Sequence, residues 1–300
     1  KAFAISKKAG SKQYETGDFL EYTLTAGNNG GTNDKDVLLL DTIPYKGDQN
    51  GSSFDGELKV SKLTLNKRTL ENLTEWKCYY TESDAAKGHY ASEYKVTDIQ
   101  NGASTVGGDT VVWKPVAIDS SGAVNDIQDK IVTAVAWMGT IKPGQAFNAN
   151  MTLNPTESKP QDIFVNSFSK EDIQVPASTL IANRSIAGRV WLDENKNGKQ
   201  DDGEVNLSGV RVLLLEEDGN GDWTPVLDND DNPIELETKE SSKDSSKSYI
   251  LMGFNSQMEI VDRTVQAIAK ADGSYEFSGL QDGTYGVRFL SGSTDLSGLI

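Results

Sequence analysis

Short apolar runs with alternating polar positions recur along this chain, and turn residues separate them. Typical runs are FLEYTLTAGNNGG at 19–31, DVLLLDTIP at 36–44 and AFNANMTL at 146–153. A period of two is typical of strands that bury one face, whereas amphipathic helices show a period near 3.6. The pattern predicts an all-β protein, with at most one short helix or an irregular excursion in TESDAAKGHYASEY at 81–94.

The strand-like runs form two sets, and the boundary between them lies near residues 175–185. A chain of 300 residues has room for two domains that each bury a core. We therefore expect one domain at 1–180 and a second at 185–300. Within the second, the polar, Ser-rich segment 236–248 has too little apolar surface to order itself, so we predict a mobile hairpin tip or disorder there.

Charge and composition exclude several classes of protein. The chain has 45 acidic and 29 basic residues and a formal net charge of -16, which argues against nucleic acid as a partner and favours solubility and cation binding. Apolar residues make up 36% of the chain and no apolar run is long enough to span a membrane, so no membrane insertion is expected. Because the chain starts at Lys1 and shows no signal-peptide pattern, we expect a processed or trimmed fragment.

Cysteine and histidine each occur once, at Cys78 and His89. The chain therefore has no internal disulfide, and a zinc site built from these residues is not expected. Cys78 lies in a strand-like run, which favours a half-buried structural cysteine over a catalytic partner of His89. No other pair of nucleophile and base stands out, so we do not expect a turnover enzyme.

The segment DENKNGKQDDGE at 193–204 matches the calcium-loop pattern D-x-[DN]-x-[DN]-G-x5-E. The matching positions are Asp193, Asn195, Asn197, Gly198 and Glu204. Alternate oxygen-bearing side chains converge on one point, Gly allows a sharp turn, and a closing Glu can bind Ca²⁺ through both oxygens. Strand-like flanks on both sides predict a structural calcium site in a β-domain rather than a sensor. A solvated acidic turn is the alternative.

A second cluster at 218–222 repeats the alternate spacing with Asp218, Asn220 and Asp222. It has no closing Glu at the required distance. These residues are weaker metal candidates, and a plain hairpin turn explains them equally well.

Three blocks of the second domain resemble the calcium-binding B-type repeats of serine-aspartate-repeat surface proteins of Gram-positive bacteria: IAGRVWLDENKNGKQDDGE, LSGVRVLLLEEDGNGDW and ADGSYEFSGLQDGTYGVRF. The resemblance implies a prealbumin-like β-sandwich stiffened by Ca²⁺. The ligands it implies are Asp193, Asn195, Asn197, the carbonyl of Lys199, Asp201 and Glu204. Residues 226–265 depart from the family as an insertion. The usual last strand is weak or missing after residue 289, so a truncated C-terminus is expected.

Four blocks of the first domain resemble the repeat domain of bacterial surface proteins and the isopeptide-forming domains of fimbrial subunits and collagen adhesins: YETGDFLEYTLTAGNNGG, VLLLDTIP, MGTIKPGQAFNANMTL and VNSFSKE. This resemblance implies an immunoglobulin-like sandwich. It also implies an amide between a Lys on the first strand and an Asn on the last, assisted by a buried acid.

Lys7, Asp41 and Asn166 fit these roles, because each alternates in line with apolar neighbours on its strand. Desolvation would lower the pKa of Lys7 and raise that of Asp41. The neutral amine could then attack Asn166, polarised by the protonated acid, with loss of ammonia. As alternatives, Lys7 lies at a frayed end that points to water, or another of three asparagines accepts the bond: Asn148, Asn150 or Asn154.

Together these patterns predict two β-sandwich domains in tandem, Ig-like and then prealbumin-like B-type. They predict a structural and adhesive module of a cell-wall-attached, extracellular protein of a Gram-positive bacterium, a surface adhesin or pilus-type protein. Its partners would be calcium and a ligand, protein or glycan, on a host or neighbouring cell. The alternative is a carbohydrate- or protein-binding module of a secreted scaffold or enzyme assembly, which exposed aromatic residues on one face would favour.

Overall fold

The computed structural model describes four stretches of the chain, namely residues 2–66, 76–239, 244–254 and 258–290. Nearly all of its regular structure is β-strand, which confirms the all-β prediction. The chain divides into two compact units, Lys1–Ile181 and Ala182–Ile300. Within the described stretches, no helix has the length and apolar character needed to cross a membrane.

The first unit is a β-sandwich. Its strands are β1 Phe3–Ala9, β2 Gln13–Tyr14, β3 Leu20–Asn28, β4 Asp34–Thr42, β5 Leu58–Leu65, β6 Lys77–Thr81, β7 Ala103–Val106, β8 Asp109–Val112, β9 Lys114–Val116, β10 Ala134–Ile141, β11 Ala146–Pro155, β12 Ile163–Lys170 and β13 Ile173–Ile181. Sheet I has the order β1-β3-β11-β5 and sheet II the order β2-β13-β12-β4-β10-β6-β9, while β7 and β8 form a separate hairpin.

Sheet II is buried on both faces at its centre. In β4, Leu39 belongs to the core between the two sheets, and its neighbour Leu40 belongs to a second apolar cluster on the opposite face. That second cluster includes Ile99 of the helix α1, Val96–Gln100, and Val111 of β8. Burial on both faces explains why β4 and β10 have nearly continuous apolar sequences instead of strict alternation.

Within residues 2–66 and 76–181, helical structure is limited to short segments. They are α1 and the 3-10 turns Asp84–Ala86, Ala91–Glu93 and Asn125–Ile127. The segment 81–94, predicted to hold one short helix or an irregular excursion, contains two of the 3-10 turns, and α1 begins just after it.

The second unit also packs two sheets over one core. Its strands are β14 Arg184–Arg189, β15 Arg211–Glu217, β16 Trp223–Pro225, β17 Glu235–Glu237, β18 Ser245–Phe254, β19 Ile260–Ala269, β20 Ser274–Leu280 and β21 Tyr285–Leu290. One sheet has the order β14-β20-β19-β18, and the other the order β16-β15-β17 with β21 paired to β15. Leu214 from one sheet and Phe277 from the other are fully buried in the shared core. The β-sandwich prediction is therefore confirmed.

The Ser-rich segment 236–248 differs in part from its prediction. Residues 245–248 belong to β18 and pair with residues 266–269 of β19, because backbone hydrogen bonds order a strand without any apolar side chain. Residues 240–243 lie outside the described residues. So does the weak or missing last strand expected within 291–300.

Candidate functional site

The structure brings Lys7, Asp41 and Asn166 together in the core of the first unit. Lys7 is on β1 of sheet I, whereas Asp41 and Asn166 are on β4 and β12, which are neighbours in sheet II. The ammonium of Lys7 crosses between the sheets and donates a hydrogen bond to Oδ2 of Asp41. The alternative that Lys7 points to water at a frayed end is therefore wrong.

Burial shifts the pKa values of both charged groups. The side chains of Lys7 and Asp41 are fully buried, and Asn166 has no exposed surface. Desolvation lowers the pKa of Lys7 to about 8, although the Asp41 carboxylate opposes this shift. Desolvation also raises the pKa of Asp41, and Lys7 and the Asn166 amide act in the opposite direction. Both shifts favour the neutral forms that amide formation requires.

Two acceptor atoms at this site lack a hydrogen-bond donor. They are Oδ1 of Asp41 and Oδ1 of Asn166, and both are buried. The amide nitrogen of Asn166 is held differently, because it donates to Sδ of Met151 at 3.9 Å and also stabilises the Asp41 carboxylate. A buried acceptor without a donor costs free energy, about 1–3 kcal/mol each. A proton on Asp41 would supply the missing donor.

Tyr22 completes the surroundings of the Lys7 ammonium. The ring centre of Tyr22 is 4.9 Å from Nζ, and its hydroxyl is 3.3 Å from Oγ1 of Thr179 on β13. Burial raises the pKa of the Tyr22 hydroxyl, so it stays neutral. Among the described contacts of the Lys7 ammonium, Asp41 is therefore the only charged group.

The three asparagines considered as alternative acceptors of the Lys7 amine lie outside this site. Asn148 and Asn150 project from the other face of β11, where each accepts a hydrogen bond from a threonine of β3, at 2.9 Å from Thr25 and 3.1 Å from Thr23. Asn154 pairs with Lys59 of β5, further along the strand. Since Lys7 points into the core, these three side chains are not placed to accept its amine.

The predicted calcium loop forms a compact, hydrogen-bonded turn in the second unit. The Asp193 carboxylate accepts from the backbone of Asn197 and Gly198 at 3.1 and 2.8 Å. Asn195 and Asn197 donate to Oδ2 of Asp201 at 2.5 and 2.6 Å. Local backbone bonds and the left-handed conformation of Gly198, with φ of 75°, therefore gather the candidate side chains around Asp201.

The closing residue Glu204 folds back over the same loop. Its carboxylate accepts from the backbone N–H of Glu194 and of Asp201, both at 3.0 Å. Lys199 donates its N–H to Oδ1 of Asn197 at 2.7 Å, while its carbonyl was the predicted ligand. The donor set suits a hard cation such as Ca²⁺, since it consists of carboxylate, amide and carbonyl oxygens. Within the described residues, however, no group of three or more His, Cys, Asp or Glu side chains has a metal-binding arrangement.

The weaker metal candidates form a hairpin turn between β15 and β16. Oδ1 of Asp218 accepts from the backbone of Asn220 and Asp222 at 2.8 and 3.3 Å, and the ladder resumes at Glu217 and Trp223. This is an Asx-type turn, which needs no metal.

Cys78 and the tryptophans are mainly core residues. Cys78 is buried, and desolvation raises the pKa of its thiol, which makes it a poor nucleophile. Trp76, Trp113 and Trp137 are also buried, whereas 42% of Trp223 is exposed. Buried indoles cannot form a sugar-binding face, so this distribution gives little support to the carbohydrate-binding alternative.

A second buried lysine was missed from the sequence. Lys170 at the end of β12 forms an ion pair with Asp34 at 3.0 Å, and its ammonium lies 3.7 Å from the ring centre of Phe3. It also contacts Glu171 at 3.1 Å. Lys170 follows Asn166 by four residues on the same strand face, so the alternation that identified Asn166 could have identified Lys170 as well.

No protein-family model matches the chain. The curated relatives include serine-aspartate repeat-containing protein E of Staphylococcus aureus (strain Mu50), 29% identical over 197 residues, which cover 62% of this chain and 14% of that protein. Serine-aspartate repeat-containing protein D of S. aureus (strain Newman) is 26% identical over 270 residues, which cover 86% of this chain and 14% of that protein. This chain therefore corresponds to a small part of these relatives.

Similar solved structures include the pilus 2b backbone protein of group B streptococcus, with a TM-score of 0.34 and 15% identity, covering 94% of this chain and 82% of that one. The pilus backbone protein of Streptococcus pneumoniae has a TM-score of 0.29 and 8% identity, covering 96% and 89%. These scores are too low to establish a common arrangement. The sequence matches confirm the resemblance to serine-aspartate-repeat surface proteins, and the chain is homologous to a segment of the serine-aspartate repeat-containing proteins of S. aureus.

Proposed function

We propose that this chain is a structural module of a cell-surface protein of a Gram-positive bacterium, a surface adhesin or pilus-type protein. In this proposal, an amide between Lys7 and Asn166 closes the first unit, and Ca²⁺ stiffens the second. The module projects a binding region that contacts a protein or glycan on a host or neighbouring cell. The observation that carries the proposal is the buried contact of Lys7 with Asp41 beside the Asn166 amide.

The reaction needs only the groups already present. Asp41 takes a proton from the Lys7 ammonium, and the neutral Nζ attacks Cγ of Asn166. The Nζ–Cγ bond forms and the Cγ–Nδ2 bond breaks. Asp41 returns the first proton to Nδ2, which leaves as ammonia. Asp41 then takes the second proton, which Nζ releases. The reaction occurs once in each chain, so it is not turnover catalysis.

The product relieves the electrostatic cost of the starting site. The buried ion pair becomes a neutral amide and a neutral carboxyl group, which removes two charges from a desolvated position. The protonated Asp41 also becomes a hydrogen-bond donor, whereas the Oδ1 of its carboxylate is a buried acceptor without a partner. These two gains favour the product over the ion pair.

Intact-protein mass spectrometry tests the cross-link. The purified chain should weigh one ammonia less than its sequence, and tandem mass spectrometry should find the peptides of Lys7 and Asn166 joined. Lys7→Arg and Asn166→Ala should restore the full mass, whereas Asn150→Ala, on the other face of β11, should keep the deficit. A wild-type chain with its full sequence mass would refute the cross-link.

The calcium part of the proposal is supported by the donor set of the loop and its match to the calcium-loop pattern. Asp193, Asp201 and Glu204 would provide charged ligands, and the amide oxygens of Asn195 and Asn197 would provide neutral ones. Isothermal titration of the chelator-treated chain with Ca²⁺ tests this part separately. One saturable site that is lost in Glu204→Gln is expected, and absence of binding heat at several temperatures would refute it.

A further inference from the structure

We propose that Met151 is a positioning residue of the cross-linking site, which keeps the leaving nitrogen of Asn166, rather than its carbonyl oxygen, next to Asp41. This inference rests on the proposed Lys7–Asn166 reaction. Met151 belongs to the sheet opposite Asn166, and the amide nitrogen is the atom to which the acid must deliver its proton.

Met151 is placed to contact Asn166 by the sandwich itself. It lies on β11 of sheet I, where it pairs with Tyr22 of β3, and it is fully buried. Its Sδ faces Asn166 of sheet II and accepts the amide N–H at 3.9 Å. Sulfur is a weak acceptor, but it is a much better neighbour for an N–H than for a carbonyl oxygen.

The contact decides between two orientations of the Asn166 amide. In the observed one, Nδ2 lies toward both Met151 and Asp41, and Oδ1 has no partner. In the rotated one, Oδ1 would meet the sulfur, an unfavourable contact between two electron-rich atoms. The observed orientation presents the nitrogen that must be protonated to the acid that holds the proton, so Asp41 acts on the leaving group.

This arrangement changes the role expected for Asp41 from the sequence. There the protonated acid was expected to polarise the Asn166 carbonyl. Here the amide N–H is the group that stabilises the Asp41 carboxylate and lowers its pKa against the effect of burial. If Met151 is replaced by a residue without sulfur, the Asn166 amide can rotate, and its N–H then stabilises the Asp41 carboxylate less.

The test is the rate of ammonia loss in chains made by cell-free translation, quenched in acid at intervals and weighed intact. Met151→Leu keeps the apolar volume and removes the acceptor. Met138→Leu is the matched control, because Met138 is equally buried but belongs to the separate cluster on the other face of sheet II. We expect Met151→Leu to react roughly three- to tenfold more slowly, and Met138→Leu to match the wild type.

The pH dependence of this rate separates positioning from general damage. The acid limb is the low-pH part of the pH–rate profile, where the rate falls as Asp41 becomes protonated. Loss of the Asn166 N–H contact should move this limb to higher pH by roughly 0.5–1 unit in Met151→Leu. Equal rates in the two leucine variants, or a slower rate with an unmoved acid limb, would overturn the inference. Met151→Ile is measured alongside in case the leucine variant does not fold. A wild-type chain that never loses ammonia would instead refute the proposed function.

Discussion

The ammonium of Lys7 donates a hydrogen bond to Oδ2 of Asp41 from the opposite sheet, and both side chains are fully buried. Burying an ion pair costs several kcal/mol of desolvation for each ion, and the attraction between the charges often fails to offset it. An apolar pair would fill the same volume without that cost. The position of Asn166 beside this pair gives a reason for keeping it, since in the proposed reaction Lys7 would be the nucleophile and Asp41 would carry the protons.

Removing one member of the pair should be more damaging than removing both. In the Asn166→Ala background, which cannot form the cross-link, adding Asp41→Ala should cost about 3–5 kcal/mol, because Lys7 keeps a buried, unpaired charge. Adding Lys7→Met with Asp41→Leu should be neutral or stabilising. Urea unfolding measures both. The control is Asp55→Ala, which breaks exposed ion pairs with Lys46 and Lys159 and should cause no measurable change.

In the Asn166→Ala background, we also expect an unusual dependence of the unfolding free energy on pH. The folded-state pKa of Lys7 is about 8, below its ordinary 10.5, so the folded state binds fewer protons between these values and stability should rise with pH there, by about 2–3 kcal/mol. The pKa of Asp41 is raised above 3.8, so stability should fall as pH rises from 3.8 through the folded-state value.

The free energy of unfolding is measured from pH 4 to 10.5 for Asn166→Ala and for the variant that also carries Lys7→Met and Asp41→Leu. The difference between the two variants gives the contribution of Lys7 and Asp41. The difference in unfolding free energy should pass through a minimum below pH 8. A difference that does not change with pH would contradict the burial of the pair.

Mechanical unfolding should distinguish the cross-linked chain from the open one. An amide between residues 7 and 166 would prevent the 159 Cα–Cα steps between them (166 − 7) from extending under force, a loss of roughly 500–570 Å of contour length. Asn166→Ala should recover that length in a single-molecule pulling experiment. The extension of the second unit provides the internal control, since it should be the same in both chains. Full extension of the wild-type chain would show that the first unit is open.

Calcium should stabilise the second unit selectively. A ligand that binds only the folded state at a concentration of 100 Kd adds about 2.7 kcal/mol, so calorimetry should show one transition moving upward with Ca²⁺ and downward with chelator. Glu204→Gln should abolish the shift. Asp202→Asn is the matched control, because Asp202 is an exposed acid of the same loop outside the ligand positions. Identical melting in Ca²⁺ and in chelator would contradict the calcium proposal.

The sequence alone determined the local features of this protein. Alternation of apolar and polar residues predicted strands and sandwiches, since the side-chain period of a strand is fixed by backbone geometry. The same alternation placed Lys7, Asp41 and Asn166 on inward faces. The turns at 193–204 and 218–222 were also visible, because their Asp and Asn side chains bond to backbone groups only a few residues away.

Which inward-facing groups meet depends on how the strands pair and how the two sheets pack. Alternation assigns a side chain to a face, but it does not specify the partner on another strand, and Lys7 and Asp41 lie 34 positions apart. The same limit concealed the contact of Lys170 with Asp34 and Phe3, and that of Met151 with Asn166. Sheet pairing and the packing of one sheet on another fix these contacts, because a buried polar group is stabilised by whatever partner the fold brings within hydrogen-bonding distance.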